Sequence, residues 1–167
     1  HIGIFASSLL FFPKIMQGPI ERPQILIQFR EPRNLDYSMI TEGVKLMLWG
    51  FFKKLVVAER LALYVNAVYD NVDKHDGKTL LVATIFYSFQ IYADFSGYTD
   101  IALGSAKILG FNLSTNFKRP YFSTSVKEFW SRWHISFSTW LRDYLFLPLA
   151  VFLAGNIKRQ SWLGITI

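Results

Sequence analysis

Cysteine is missing from all 167 residues. Its absence excludes a disulfide framework, a thiolate zinc site and a cysteine acyl-enzyme. Charge is sparse as well, at 18% of residues, against roughly 25% in an ordinary soluble domain. No window offers the roughly 18 uncharged apolar residues that would identify a membrane span outright. The longest charge-free run in the centre, Thr79 to Ala93, has fifteen residues. There is no Gly-x-Ser-x-Gly elbow, no phosphate loop and no Gly-x-Gly-x-x-Gly fingerprint, which sets those chemistries aside. His1, His75 and His134 are too scattered to suggest a metal site.

What is present is apolar and aromatic. Hydrophobic residues make up 51%, with sixteen Phe, eight Tyr and five Trp, and mean hydropathy is +0.24. This composition suits a membrane protein with polar residues inside its spans better than a very apolar soluble domain. The net charge of +6 is compatible with nucleic acid, anionic lipid or the positive-inside bias. Nucleic acid is set aside, because the aromatics are spaced for helix packing and the acids lie among apolar runs. The chain opens at His1 without an initiator Met and closes within the apolar run 162–167. It therefore reads as an internal part of a longer protein.

Along the chain, residues 1–12 read as the end of an apolar helix closed by Pro13, and 13–37, with four of the six prolines, as a loop or short broken helices. Residues 38–70 form a long helix that Ser38 or Thr41 could cap, with Val44, Met47, Leu48, Phe51, Leu55, Ala58 and Ala62 at helical spacing. A hydrophilic connector covers 70–78, and Thr79 to Phe111 is the best span candidate, broken or bent near Ser96-Gly97. After a loop at 112–124, a helix runs from about Ser125 to Leu147, where Pro148 ends or kinks it. Apolar stretches at 149–155 and 162–167 flank a basic turn around Lys158 and Arg159.

The densest chemistry lies in the sixteen residues Phe129 to Tyr144, with one His, three Trp, three Ser, two Arg and one Asp. On a helix, Trp130, Trp133, Phe137, Trp140, Leu141 and Tyr144 make one stripe, and His134, Ser138 and Arg142 continue a line along its edge. A serine at i+4 could hydrogen-bond one imidazole nitrogen and fix the tautomer. Arg132, Ser136, Thr139 and Asp143 form a second polar line. Such a helix must be enclosed by protein or line a wet cavity. His134 is then either a core histidine tied to a carbonyl or a general base or pocket group for a hydroxyl substrate. In Tyr92 to Asp100, two aspartates in an apolar segment need partners, since each costs about 2.5–3.5 kcal/mol unpaired in lipid. Asp94 and Asp100 read as a structural ion-pair network rather than catalytic groups, with Arg132, Arg142, Arg119 and Lys118 as plausible counter-ions.

Four motifs in order resemble the membrane-bound O-acyltransferase family, in its bacterial branch of alginate O-acetylases and D-alanyl transferases. They are Gln17-Gly18-Pro19-Ile20-Glu21-Arg22; Tyr92 to Asp100 continuing into Ile101-Ala102-Leu103-Gly104; Leu109-Gly110-Phe111-Asn112-Leu113 with Asn116-Phe117 and Pro120-Tyr121; and Phe129 to Tyr144. The resemblance implies an all-α, polytopic membrane helical bundle with polar-lined, partly broken helices, of which residues 1–167 would be part of a single domain incomplete at both ends. Its spans would surround a thin central region reached by tunnels from both sides. The implied reaction moves an acyl group, acetyl in the alginate branch, from a thioester donor (acetyl-CoA or an acyl carrier) to a hydroxyl, with no bound cofactor and no metal. The absence of cysteine fits direct transfer without a thiol intermediate.

By the same resemblance, His134 matches the first of two characteristic histidines. The second, usually taken as the base and set in Trp-His-Gly, lies further downstream in the family, and no such motif occurs before Ile167. Residues 1–167 alone are accordingly expected to be inactive. Ser138, Arg142, Trp133 and Trp140 are expected to line the pocket, and Asp94, Asp100, Arg132 and Asp143 to form the supporting network. The expected partners are a polysaccharide such as alginate or a downstream envelope acetyltransferase, together with membrane lipid, in a multi-pass protein of the bacterial inner membrane. Alternatives are D-alanyl transfer to teichoic acid and a non-catalytic membrane scaffold or transporter.

Overall fold

Aspartates start both long helices. Asp36 accepts the Ser38 N–H at 2.8 Å and Asp76 accepts the Thr79 N–H at 3.0 Å, each satisfying a backbone donor that a helix start leaves unpaired. The computed structural model describes residues 2–15, 17–33 and 36–162, with side chains as far as Ala154. All regular structure among these residues is helical. The chain forms two compact units, His1–Thr115 and Asn116–Ile167.

The first unit opens with α1 (Ile2–Leu9), α2 (Phe12–Ile15) and α3 (Ile25–Gln28). The opening helix stops at Leu9, short of Pro13. Pro13 instead sits in the first turn of α2, where a missing N–H costs nothing. The proline-rich segment is thus short broken helices, as its composition suggests. Beyond it, α4 (Tyr37–Phe51) continues through a wider π-helical segment (Phe52–Ala58) into α5 (Glu59–Tyr69). Its cap is Asp36 and not Ser38 or Thr41; the Thr41 hydroxyl donates back to the Tyr37 carbonyl at 2.8 Å. After the polar connector, α6 (Gly77–Ile108) runs for 32 residues, about 48 Å at 1.5 Å per residue.

Contrary to the expected bend, α6 passes through Ser96-Gly97 as continuous helix. Gly97 serves close packing instead. A Cβ on Gly97 would lie 2.8 Å from the Gly50 carbonyl oxygen, and one on Gly50 would lie 2.6 Å from that of Gly97. Gly43 and Gly104 repeat the arrangement, at 2.6 and 2.5 Å. The second crossing lies seven residues back along α4 and seven residues further along α6, which defines an antiparallel pair with backbones touching. The buried residues on these helices are mostly small, including Ala58, Ala93, Ser96, Thr99, Ala102 and Ala106, with Val65 and Val68 the largest among them. Large apolar side chains such as Leu48, Leu55, Leu63, Leu81, Ile85 and Phe89 point outward. This distribution inverts that of a water-soluble bundle and matches helix packing in lipid.

In the second unit a 3-10 turn (Pro120–Phe122) leads to α7 (Val126–Arg132), α8 (Ile135–Trp140), a π-helical segment (Leu141–Phe146) and α9 (Leu147–Trp162). The single helix expected from Ser125 to Leu147 is therefore broken at Trp133-His134. Pro148 ends nothing: it occupies the second position of α9, and the expected turn at Lys158-Arg159 is helical backbone. Residues 163–167, and His1, lie outside the described residues. Among those described, the one stretch long and apolar enough to cross a membrane is Ile135–Ala154. It is not the Thr79–Phe111 segment, whose hydroxyls, Gln90 and two aspartates lower its hydropathy.

The seam predicts an asymmetry among glycines. Gly97→Ala and Gly104→Ala should each destabilise by about 1–3 kcal/mol or more through overpacking. Gly77→Ala, where a Cβ meets nothing within 4 Å, should be neutral or stabilising by up to about 1 kcal/mol. Thermal unfolding midpoints in detergent check this; a Gly97→Ala protein melting with wild type would disprove the close approach.

Candidate functional site

The second unit is organised by one backbone feature. His134 has φ 43° and ψ 55°, a left-handed conformation that costs a non-glycine residue about 1–2 kcal/mol. Such a conformation persists only where the surroundings over-determine it, and here Asn116 supplies the restraint. Its carbonyl accepts the Ile135 N–H at 2.9 Å. Its side-chain Oδ1 accepts both the Ser136 N–H at 3.2 Å and the Ser136 hydroxyl at 2.9 Å. The Lys118 N–H donates to the Arg132 carbonyl at 2.9 Å, so residues 116–118 bridge the two sides of the break. Asn116 is fully buried and Ser136 nearly so.

Aromatic packing anchors the same segment. Trp133 stacks on Phe129 at 5.5 Å and meets the edge of Phe117 at 5.1 Å, with Tyr121 6.2 Å away. Phe117 and Tyr121 follow Asn116 on the incoming chain, which turns at Arg119 with φ 47°. The His134 ring stacks on Phe137 at 5.1 Å. Burial pushes the His134 imidazole below its ordinary pKa, favouring the neutral ring, whose unprotonated nitrogen can accept a proton or a hydrogen bond.

The break rearranges what helical spacing implied. Trp130 and Trp133 precede it, whereas Trp140 follows it and stacks on Tyr144 at 5.7 Å, so the expected single stripe is two separate aromatic groups. The left-handed backbone at His134 also interrupts the helical line on which Ser138 and Arg142 would follow it. The Ser138 hydroxyl donates to the Trp133 carbonyl at 3.4 Å, and the Ser138 N–H to the His134 carbonyl at 3.0 Å. Arg142 is largely exposed and pairs with Asp143 at 2.7 Å, while Arg132 pairs with Glu128 one turn back. Of the expected pocket residues, the structure gathers Trp133 and Ser138 at the His134 break, and sets Trp140 and Arg142 further along the helix.

Asp94 and Asp100 belong to the first unit. Lys54 pairs with Asp94, and Lys53 with Asp100 at 2.6 Å while also donating to Ser96 at 3.0 Å. The counter-ions are thus neighbours across the glycine seam and not Arg132, Arg142, Arg119 or Lys118, which the sequence suggests. Lys53 and Lys54 lie in the π-helical segment, whose wider turn lessens the angle between consecutive side chains and lets both reach α6. Sequence reading missed Lys53 and Lys54 as partners and Asn116 as a site residue. Lys53 and Lys54 are adjacent whereas Asp94 and Asp100 lie six residues apart, so charge spacing does not signal these pairs; the register set by the glycine seam does. No local spacing signals Asn116, twenty residues from Ser136.

If His134 is held against its own preference, His134→Gly should be more stable than His134→Ala by about 1 kcal/mol, since glycine adopts the left-handed region freely. Unfolding midpoints of the two variants in one detergent provide the check; equal midpoints would mean that the break carries no strain.

The sequence pattern of the membrane-bound O-acyltransferase family matches residues 5–164. The chain is 40% identical over 154 residues to a probable alginate O-acetylase of Pseudomonas putida, covering 92% of this chain and 31% of that protein. It is 35% identical to the peptidoglycan O-acetyltransferase of Helicobacter pylori (89% and 29% covered) and 31% identical to the teichoic acid D-alanyltransferase of Streptococcus thermophilus (93% and 39%). The chain thus spans roughly a third of the length of these relatives, and both the Asn116–Tyr121 segment and the broken helix around His134 fall inside the matched region. The chain belongs to the membrane-bound O-acyltransferase family.

Proposed function

We propose that the full-length protein is a multi-pass enzyme of the bacterial inner membrane that transfers an acyl group, acetyl in its main activity, from a thioester donor to a hydroxyl of an exported polysaccharide such as alginate. The observation that carries this reading is the strained helix break at His134, held by Asn116 inside the region that matches the family. Kinship with the alginate O-acetylases supplies the reaction class. The membrane setting is supported by the outward apolar faces of α4, α5 and α6 and by the exposed span-length stretch Ile135–Ala154. Soluble monomers rarely leave so much contiguous apolar surface open.

In this reading the acceptor hydroxyl attacks the thioester carbonyl, a C–O bond forms, the C–S bond breaks and the donor leaves as a thiol. The hydroxyl proton passes through a base to the leaving sulfur. An alcohol is a poor nucleophile at neutral pH, so a base must lie within hydrogen-bond reach of it. His134 shares this work with the family's Trp-His-Gly histidine, one of them orienting the acceptor and the other taking the proton. Trp133 and Trp140 exclude water and thereby suppress hydrolysis of the thioester. Ser138 lines the acceptor side at the break, and Arg142 would meet the acceptor further along the helix. The acceptor is a polysaccharide itself or an envelope acetyltransferase that passes the group on.

His134→Ala in the full-length protein, reconstituted in membranes with labelled acetyl-CoA or acylated carrier and polysaccharide, should lower transfer by about 10²–10⁴-fold at unchanged folded yield. Normal transfer would remove His134 from the chemistry. Transfer of D-alanyl but not acetyl groups would select the teichoic acid reading, and wild-type protein inert with every donor would favour a scaffold.

Asp94, Asp100, Arg132 and Asp143 act structurally in this proposal. Asp100→Asn should cost about 1.5–3 kcal/mol, in line with a charged hydrogen bond, and Asp94→Asn less, because Asp94 is the more exposed of the two. Folded yield should fall while transfer per folded molecule persists; lost transfer at normal yield would overturn the assignment.

A further inference from the structure

We infer that Asn116 is a positioning residue for acyl transfer, acting through His134; this rests on the reading of His134 given above. Three hydrogen bonds converge on this one residue from the two positions that follow His134. The Ser136 N–H can only donate, so the group it meets must be the side-chain oxygen of Asn116, and the orientation of the amide is thereby fixed. The imidazole direction is set by a backbone conformation that His134 does not prefer, and Asn116 bonds the next two residues on the C-terminal side of that conformation. On the N-terminal side, the Trp133 N–H is retained by the Phe129 carbonyl at 2.9 Å. Between these anchors the residue that rotates is His134.

A second observation separates this from ordinary core packing. The Asn116 Nδ2 is buried with no hydrogen-bond partner among the described residues, an arrangement that costs about 1–3 kcal/mol. A leucine of similar volume would avoid that cost and fill the same space. What leucine cannot supply is the Oδ1 acceptor for Ser136. Without it the Ser136 N–H loses its acceptor, and the left-handed turn loses its main reason to persist. The ring of His134 would then settle in a helical or extended direction. Displacement of a reacting group by about 1 Å can cost 10²-fold in rate.

The test is a double-mutant cycle in the full-length protein in membranes, with transfer normalised to folded protein. Asn116→Leu should lower kcat by about ten- to a hundredfold and leave donor KM within about twofold. In a His134→Ala background the same substitution should produce no further loss, because residues acting as one unit are not additive. If Asn116→Leu does not accumulate, Ser136→Ala carries the test: it removes one of the three bonds, and its several-fold kcat loss should likewise vanish beside His134→Ala. Wild-type kcat in Asn116→Leu (or in Ser136→Ala where that variant carries the test), or equal losses with and without His134, would overturn the inference while leaving the function intact. A His134→Ala protein with full transfer would overturn both.

Discussion

Backbone-to-backbone packing between α6 and the α4–α5 helix is the constraint on which the first unit depends. Four glycines at two crossing points remove every side chain from between the helices, so the carbonyl of one meets the Cα of the other. With the axes so near, short residues fill the remaining seam and larger ones are displaced outward. Lysine stems from one helix can then reach aspartates of the other without entering a wide cavity. The ion pairs of Lys53 and Lys54 follow from the seam and could not form across helices held apart by leucines.

The second unit works by a different principle. Its helix is interrupted by a strained residue, and the strain is held by hydrogen bonds from a segment well before it in sequence. The two halves depend on each other: the broken helix satisfies the Asn116 carbonyl and the Lys118 N–H, and the break needs Asn116. Phe117, Tyr121, Phe129 and Trp133 weld the two together with stacked rings. A histidine at such a joint has its direction set by tertiary structure and not by helical phase. That is the property expected of a group whose task depends on orientation.

How much of this could be read in the sequence follows the range of the interactions. The long helices, the polar connector and the broken proline-rich segment are local, and hydrophobic spacing with turn residues located them. Four ordered motifs placed the chain in its family. Gly97 was legible as special but its purpose was not, because a glycine that bends a helix and one that admits a neighbouring backbone look alike in one dimension. The break at His134 was invisible for a related reason. Trp130 to Tyr144 carries no glycine or proline, and helical periodicity continues through it; the restraint lies in Asn116. The lysine–aspartate pairs were misassigned to other basic residues because proximity across a helix pair depends on register, which spacing within one helix does not contain.

The glycine seam has one more consequence. At each crossing point the position that a side chain would take is occupied by a glycine hydrogen aimed at the facing carbonyl, reciprocally between Gly50 and Gly97 and between Gly43 and Gly104. Weak C–H···O hydrogen bonds of this kind contribute about 0.5–1 kcal/mol each. In lipid, where burying apolar surface gives helices no reason to associate, such small polar attractions become a principal source of cohesion. The two helices are therefore joined in part by the polarity of their own peptide groups, beside the lysine–aspartate pairs, an attraction that in lipid would need no water to drive it.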